Sequence, residues 1–345
     1  MQVDAQSAQA AYDAGDFHYC ISVCSKALTV DNNNAQYLFL LSSSLRRIGN
    51  LREARRALIL GALKFPGHVK FLIALSEVEY TLGNMQGAID AAKAGAEIAP
   101  ADVRLKGQMA RSHALIGEIQ RARELQMEFN LEVDDRSREQ LEEAIEIAAL
   151  WFDEKNVGPV NAGVDSTDLM TFSDAFTADA LDLLRSPVGK QFFHGGTIIT
   201  ASGPITDRTV RNVGVALLGL KEFSKVYLSV YRIAHYIASR FGVCIFPDGP
   251  LQLVRYDGTE NGHYSWHQDV GPGRHEYRRF TITSGVSPVN AYRGGELQVR
   301  SADGTRGLAL GAGDVVAFRS ALEHRVTPVS QGVRTVVVGW FRAVE

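Results

Sequence analysis

Tyr264-Ser265-Trp266-His267-Gln268-Asp269 is the stretch from which the rest of this chain is read. His267 and Asp269 are two residues apart, and a strand would point both side chains to one face. A third candidate ligand, His324, follows 55 residues after Asp269, room enough for a sheet to fold back and bring it alongside. Two imidazoles and a carboxylate can occupy one face of an octahedral ion such as ferrous iron and leave three positions open. Alone, His-x-Asp with a later histidine is a weak pattern that permits zinc, iron or no metal at all.

The neighbouring segments narrow the choice. Gln252-Leu-Val-Arg-Tyr256 precedes the motif, and Arg278-Arg-Phe-Thr281 follows it. Tyr292-Arg-Gly-Gly-Glu-Leu297 and Gly313-Asp-Val-Val-Ala-Phe318 lead into His324-Arg-Val-Thr-Pro-Val329, and Arg334 lies ten residues past His324, ahead of Gly339-Trp340. Gly294-Gly295 reads as a turn into a strand, and His263 and His275 read as rim or loop residues. Short runs with strand chemistry recur at Leu251–Tyr256, Phe280–Val286, Glu296–Arg300, Gly313–Phe318 and Arg334–Phe341, separated by Gly, Pro, Asp or Asn. Closely spaced strands without long helices between them suggest an antiparallel sandwich or barrel.

In order and spacing, these segments resemble the iron(II)/2-oxoglutarate oxygenases of the prolyl 4-hydroxylase type, close to the PKHD-type hydroxylases. The resemblance covers about residues 240–345; residues 175–239 fit it only as a helical flank. It implies a double-stranded β-helix, or jelly roll, with iron(II) held at one mouth by His267, Asp269 and His324. It implies 2-oxoglutarate and dioxygen as cosubstrates, with ascorbate as an auxiliary reductant. Arg334 would clamp the distal carboxylate of 2-oxoglutarate, which guanidinium geometry suits, and Tyr256 would add a hydroxyl. Several prolyl hydroxylases carry a tyrosine on the strand after the ligand loop. This chain has Thr281-Ile-Thr-Ser-Gly285 there, so Thr281 or Thr283 is expected to supply the third contact.

The N-terminal part has a different grammar. At a period of 34, Gly15, Gly49, Gly83 and Gly117 fall in register, as do Cys20, Ala54, Ala88 and Ala122, and Ala8, Ser42, Ser76 and Ala110. Ala27, Gly61 and Gly95 match as well, with Phe129 in the fourth copy. Small residues at fixed points let paired helices approach closely, and the glycine ends the first helix of each pair. One such hairpin cannot bury its apolar face alone, so copies stack. The pattern resembles the tetratricopeptide repeat in four copies, without the bulky Trp and Tyr of the strict consensus.

Between the halves, 136–155 reads as a capping helix and 156–175 as a linker rich in Gly, Pro, Asn and Ser. Ser173–Leu184 reads as a short helix, Gln191–Ala201 as strand, and Lys221–Phe241 as a long helix stopped by Gly242. The expectation is therefore an α+β multidomain chain. An all-α repeat solenoid over 1–135 and the cap over 136–155 come first. After the linker comes a double-stranded β-helix oxygenase domain with flanking helices over 176–345, its core at 240–345.

Composition fits that expectation. Apolar residues make up 46% and the formal net charge is -3, which gives no global pull toward nucleic acid or an anionic membrane. No apolar run approaches the ~20 residues of a membrane span. Met1-Gln-Val-Asp-Ala-Gln-Ser lacks the basic and apolar parts of a signal peptide, and three cysteines favour a reducing cytoplasm over a disulfide framework. The expected function is a dioxygenase hydroxylating an unactivated carbon of a protein or peptide residue recruited by the repeats. Two alternatives stay open: oxidation of a small metabolite or carrier-bound intermediate with the repeats used for homodimerisation, and a non-catalytic repeat scaffold or oxygen sensor.

Overall fold

The computed structural model describes residues 5–130, 133–153, 162–164, 168–186, 193–200, 203–271, 276–302 and 304–343. The chain divides between Ala149 and Leu150 into a helical unit and a β-rich unit.

The helical unit is built from hairpins. Its elements are α1 (Ala5–Asp13), α2 (Phe17–Val30), α3 (Ala35–Arg47), α4 (Leu51–Lys64), α5 (Val69–Leu82), α6 (Met85–Ile98), α7 (Val103–Leu115) and α8 (Ile119–Asn130), followed by α9 (Asp135–Trp151), which runs across the division. Each of the four in-register glycines lies between the helices of a pair and adopts the left-handed conformation, with φ of 79° at Gly15, 80° at Gly49, 89° at Gly83 and 83° at Gly117. At Gly83 its amide donates to Tyr80 O and the next amide, that of Asn84, reaches back to Glu79 O, so two orphan carbonyls of α5 are satisfied. The same pair of bonds recurs at Gly15, Gly49 and Gly117. The residue after the glycine then starts the next helix: the side chains of Asp16, Asn50 and Asn84 accept from the amides of Tyr19, Glu53 and Gly87.

Small residues at the repeat positions are the ones removed from solvent: Ala8, Cys20, Ser42, Ala54, Ala88, Ala110 and Ala122 are fully buried and Ser76 nearly so. Gly61 is small because the ring of Phe71 lies where its Cβ would be, and Gly95 stands in the same relation to Leu105.

The β-rich unit contains, in chain order, β1 (Ala162–Val164), β2 (Leu169–Phe172), α10 (Ala178–Arg185), β3 (His194–Gly195), β4 (Ile198–Thr200), β5 (Gly203–Ile205), β6 (Arg211–Asn212), β7 (Gly214–Leu217), α11 (Leu220–Phe241), β8 (Ile245–Pro247), β9 (Gln252–Asp257), β10 (His263–His267), β11 (Arg278–Gly285), β12 (Tyr292–Gly294), β13 (Leu297–Ser301), β14 (Gly304–Leu308), β15 (Val315–Arg319), β16 (His324–Val326) and β17 (Val329–Ala343). A large sheet runs β1-β2-β15-β11-β17-β9-β7-β3, with β8 and β12 also paired to β17; a smaller one runs β14-β13-β16-β10-β6; β4 and β5 form a separate hairpin. The pairings are antiparallel. Val254, Tyr256, Val316, Phe318 and Val336 of the large sheet share one buried core with Leu297, Val299 and Val326 of the small one. Long helix α11 packs by its aromatic face: Tyr231 meets Phe341 edge-on and Tyr236 meets Phe172. Gly242, at φ 60°, ends it.

Two expectations change. The stretch read as linker, 156–175, holds β2, which pairs with β15 inside the large sheet, because Leu169, Met170 and Phe172 are buried apolar residues behind a polar flank. Its residues 156–161 and 165–167 lie outside the described ones. The short helix starts at Ala178, capped by Thr177, rather than at Ser173. The strand expected at Gln191–Ala201 is represented by β3 and β4, its residues 191–192 and 201 being outside the described residues.

Gly83→Ala keeps the helices but forces a side chain into the left-handed region, which costs about 1 kcal/mol. Urea unfolding followed by far-ultraviolet circular dichroism is expected to show that loss; an unchanged midpoint would contradict the role given to these glycines.

Candidate metal centre

The two histidines are brought together by strand pairing. In the antiparallel pair β10·β16, His267 stands directly opposite His324, and their ring centroids are 4.1 Å apart. Asp269 is placed by other means. Strand β10 stops at His267, so the in-strand geometry expected for His267 and Asp269 does not hold. The Asp269 amide instead donates to Ser320 O at 2.9 Å, which pins the turn after β10 to the residue just past β15. The carboxylate then lies 3.6 Å from His267 Nε2 through Oδ1 and 3.4 Å from His324 Nε2 through Oδ2. Among the described residues, these three side chains form the group able to hold a metal ion, with ligand atoms all within 4.8 Å of one another.

Hydrogen bonds fix which nitrogen each imidazole offers. His267 Nδ1 is 2.8 Å from Ser265 O and His324 Nδ1 is 2.9 Å from Leu322 O. A carbonyl oxygen only accepts, so each Nδ1 carries its proton and donates it, leaving the Nε2 lone pair to face the centre. Tyr264 stacks flat on His267 and the edge of Phe318 meets His324, which sets both rings.

Electrostatics matches a cation site. Burial alone would raise the Asp269 carboxyl, but the charge of His324 and the closeness of both imidazoles outweigh it and hold Asp269 well below the usual carboxylate range. Burial holds His267 below its ordinary value. His324 is held above its own, because Asp269 overcomes the burial that would lower it. A divalent ion held between them would take the place of the proton that Asp269 favours on His324.

Arg334 lies in the same pocket, which also takes in Tyr256, Tyr264, Thr283 and Arg211 and has a cavity volume of about 40 Å³. It is 1% exposed, and neither of its terminal nitrogens has a hydrogen-bond partner. Strand register sets it beside Tyr256 on β9, with the guanidinium carbon 5.0 Å from the Tyr256 ring. Burial keeps the Tyr256 phenol above its ordinary value, hence protonated and able to donate. A buried guanidinium with both terminal nitrogens unbonded is costly unless an anion completes it, so the pocket suits a carboxylate ligand lying beside the three candidate metal ligands.

The two threonines differ. Thr283 lines the pocket. Thr281 is also there, but its hydroxyl donates to Asp269 Oδ2 at 2.7 Å. His263 Nδ1 lies 2.9 Å from Asn261 O and its Nε2 3.1 Å from Thr209 O, and the residue stands outside the three-residue group; His275 lies outside the described residues. Sequence reasoning missed Ser320, Tyr264, Arg211 and Gly295. Gly295 had a visible signal in its Gly-Gly pair: a Cβ there would sit 2.8 Å from Arg334 Cδ, so the glycine makes room for the buried arginine.

Comparison with known proteins bears on the same region. Residues 251–342 match the family described as the 2OG-Fe(II) oxygenase superfamily. The chain is 34% identical over 94 residues to a PKHD-type hydroxylase of Idiomarina loihiensis, covering 27% of this chain and 42% of that protein. It is 36% identical over 80 residues to a PKHD-type hydroxylase of a Synechococcus species, covering 23% and 36%. The chain thus spans about two-fifths of the length of these relatives. A solved prolyl hydroxylase of Trichoplax adhaerens, in complex with a peptide fragment, superposes with a TM-score of 0.43 at 15% identity, covering 52% of this chain and 84% of that one. The residues present fit the metal and the 2-oxoglutarate that the superfamily's description names: two Nε2 donors, one carboxylate and an orphaned guanidinium face one pocket.

His324→Ala or Asp269→Ala is expected to lower affinity for Mn(II), a redox-stable substitute for Fe(II), by at least a hundredfold in calorimetry, since each removes a candidate ligand. Wild-type affinity in either variant would contradict the centre.

Proposed function

We propose that the β-rich unit is an iron(II)- and 2-oxoglutarate-dependent dioxygenase that hydroxylates an unactivated carbon. The observation that carries this is one pocket containing both a two-histidine, one-carboxylate centre and a buried guanidinium whose two terminal nitrogens have no hydrogen-bond partner. We read the two antiparallel sheets, flanked by α10 and α11, as a double-stranded β-helix, and the helical unit as a tetratricopeptide-repeat solenoid. The four left-handed glycines at a period of 34 support the second reading.

Each residue has a task in this proposal. His267 and His324 present neutral Nε2 donors, and Asp269 supplies the charge that favours a divalent ion. Arg334 takes the distal carboxylate of 2-oxoglutarate in a two-point contact. The phenol of Tyr256 and the hydroxyl of Thr283 donate to the same cosubstrate. When bound, iron and 2-oxoglutarate supply activation of dioxygen, with succinate and carbon dioxide as co-products. Apolar walls at Val254, Leu297, Val326 and Val336 keep water from that chemistry.

The substrate proposed is a protein or peptide residue recruited by the helical unit. A tethered recognition surface raises local concentration without altering the reacting site. Ascorbate as an auxiliary reductant and a cytoplasmic location are proposed on the resemblance and the cysteine usage. Among the described residues no helix is long and apolar enough to cross a membrane.

Oxygen-dependent succinate formation in the presence of Fe(II) and 2-oxoglutarate is the expected activity, absent in His267→Ala; turnover that survives that substitution would sink the proposal. Arg334→Gln is expected to weaken 2-oxoglutarate binding about a hundredfold or more, as loss of a buried charged hydrogen-bond pair does. Mass spectrometry of proteins and metabolites from a treated extract identifies the substrate by a gain of one oxygen.

A further inference from the structure

The contacts around Asp269 carry an inference that rests on the proposed iron centre and deepens it. Asp269 has two carboxylate oxygens, and a metal needs only one. An oxygen left unrestrained can swing in and chelate, filling one of the three positions that a two-point cosubstrate and dioxygen together require. In this chain the second oxygen is already engaged. Thr281 Oγ1 lies 2.7 Å from Asp269 Oδ2, and an ionised carboxylate only accepts, so the threonine proton is committed there. Ser320 Oγ lies 3.0 Å from the same Thr281 oxygen. With the single Thr281 proton spent, that bond runs from the Ser320 hydroxyl to Thr281.

Both hydroxyls are removed from solvent, Thr281 being 1% exposed and Ser320 fully buried. Both are held by backbone. Thr281 sits mid-strand in β11, opposite Phe318 of β15 and Trp340 of β17. The Ser320 amide donates to Arg279 O, and its carbonyl accepts the Asp269 amide. One residue therefore fixes the Asp269 main chain directly and its side chain through Thr281.

We infer that Thr281, backed by Ser320, is a positioning residue that holds Asp269 as a one-oxygen ligand and keeps the third open position of the metal free. The corollary concerns the cosubstrate. A hydroxyl with its one proton given to Asp269 cannot also donate to 2-oxoglutarate, so the contact role expected for Thr281 passes to Thr283.

The test is calorimetry of Mn(II) into the full chain, then of 2-oxoglutarate into the Mn(II)-loaded protein. Thr281→Val keeps the shape and removes the hydroxyl; Thr281→Ser keeps the hydroxyl. With Asp269 Oδ2 released to chelate, Thr281→Val is expected to keep Mn(II) and, at saturating Mn(II), to bind 2-oxoglutarate about 10–100-fold more weakly, the usual cost of removing a group that orients a ligand. Thr281→Ser is expected to stay within a few-fold of wild type in both. Circular dichroism of the metal-free variants monitors folding. Should Thr281→Val not fold, Ser320→Ala takes its place, with an expected loss of 2-oxoglutarate affinity of about threefold or more. A folded Thr281→Val or Ser320→Ala that, loaded with Mn(II), binds 2-oxoglutarate as wild type does would overturn the inference, and so would equal losses in Thr281→Val and Thr281→Ser. His267→Ala separates the two levels. If it abolishes Mn(II) binding while Mn(II)-loaded Thr281→Val binds 2-oxoglutarate as wild type does, the iron centre stands and the inference falls. If the wild-type chain takes up no Mn(II), both fall.

Discussion

The register of one strand pair governs the rest of the β-rich unit. Strand β10 pairs with β16 so that His267 faces His324 across the ladder, although they are far apart in sequence. Each ring gives its Nδ1 proton to a carbonyl two residues upstream, so both Nε2 lone pairs converge on one point. Slipping that register by one residue would turn His324 to the other face of its sheet and leave Asp269 with one imidazole. Everything else at the site is arranged about this pair: Asp269 by its tie to Ser320, Tyr264 by stacking on His267, Phe318 by its edge on His324.

The second constraint is a cost. Arg334 is buried beside Tyr256 with both terminal nitrogens unpaired. An uncompensated buried charge costs several kcal/mol, and folded proteins seldom keep one without a use. Gly295 shows that the fold is shaped around it, since any side chain there would strike the arginine stem. A carboxylate ligand would repair the deficit, and its binding would then add to the stability of the unit itself.

Much of this was legible in the sequence, and the failures have physical causes. The periodic glycines announced the helical hairpins because few residues other than glycine accept φ near 80°. Ends were less legible: α10 begins five residues later than the pattern suggested, where Thr177 can cap it. The fourth repeat looked irregular at Phe129, yet its ring lies where a side chain on Gly107 would be, so the small partner has moved to the facing helix. Strand β2 was hidden among polar residues because four residues are too few for a period to declare itself. The three candidate metal ligands could be named from the resemblance of the motif and its neighbouring segments, but the placement of Asp269 could not. Its position depends on a backbone bond to Ser320, and its hydrogen bond from Thr281 comes from a strand brought alongside only by the folded sheet.

The central claim is that one pocket holds a metal on His267, Asp269 and His324 together with a dicarboxylate on Arg334. Its most direct test is a crystal structure of the full chain grown without oxygen in Fe(II) and 2-oxoglutarate. The account predicts iron bound to Nε2 of both histidines and to the Asp269 carboxylate, with the distal carboxylate of 2-oxoglutarate paired to the Arg334 guanidinium. Iron bound elsewhere, or 2-oxoglutarate seated with Arg334 left unpaired, would contradict it.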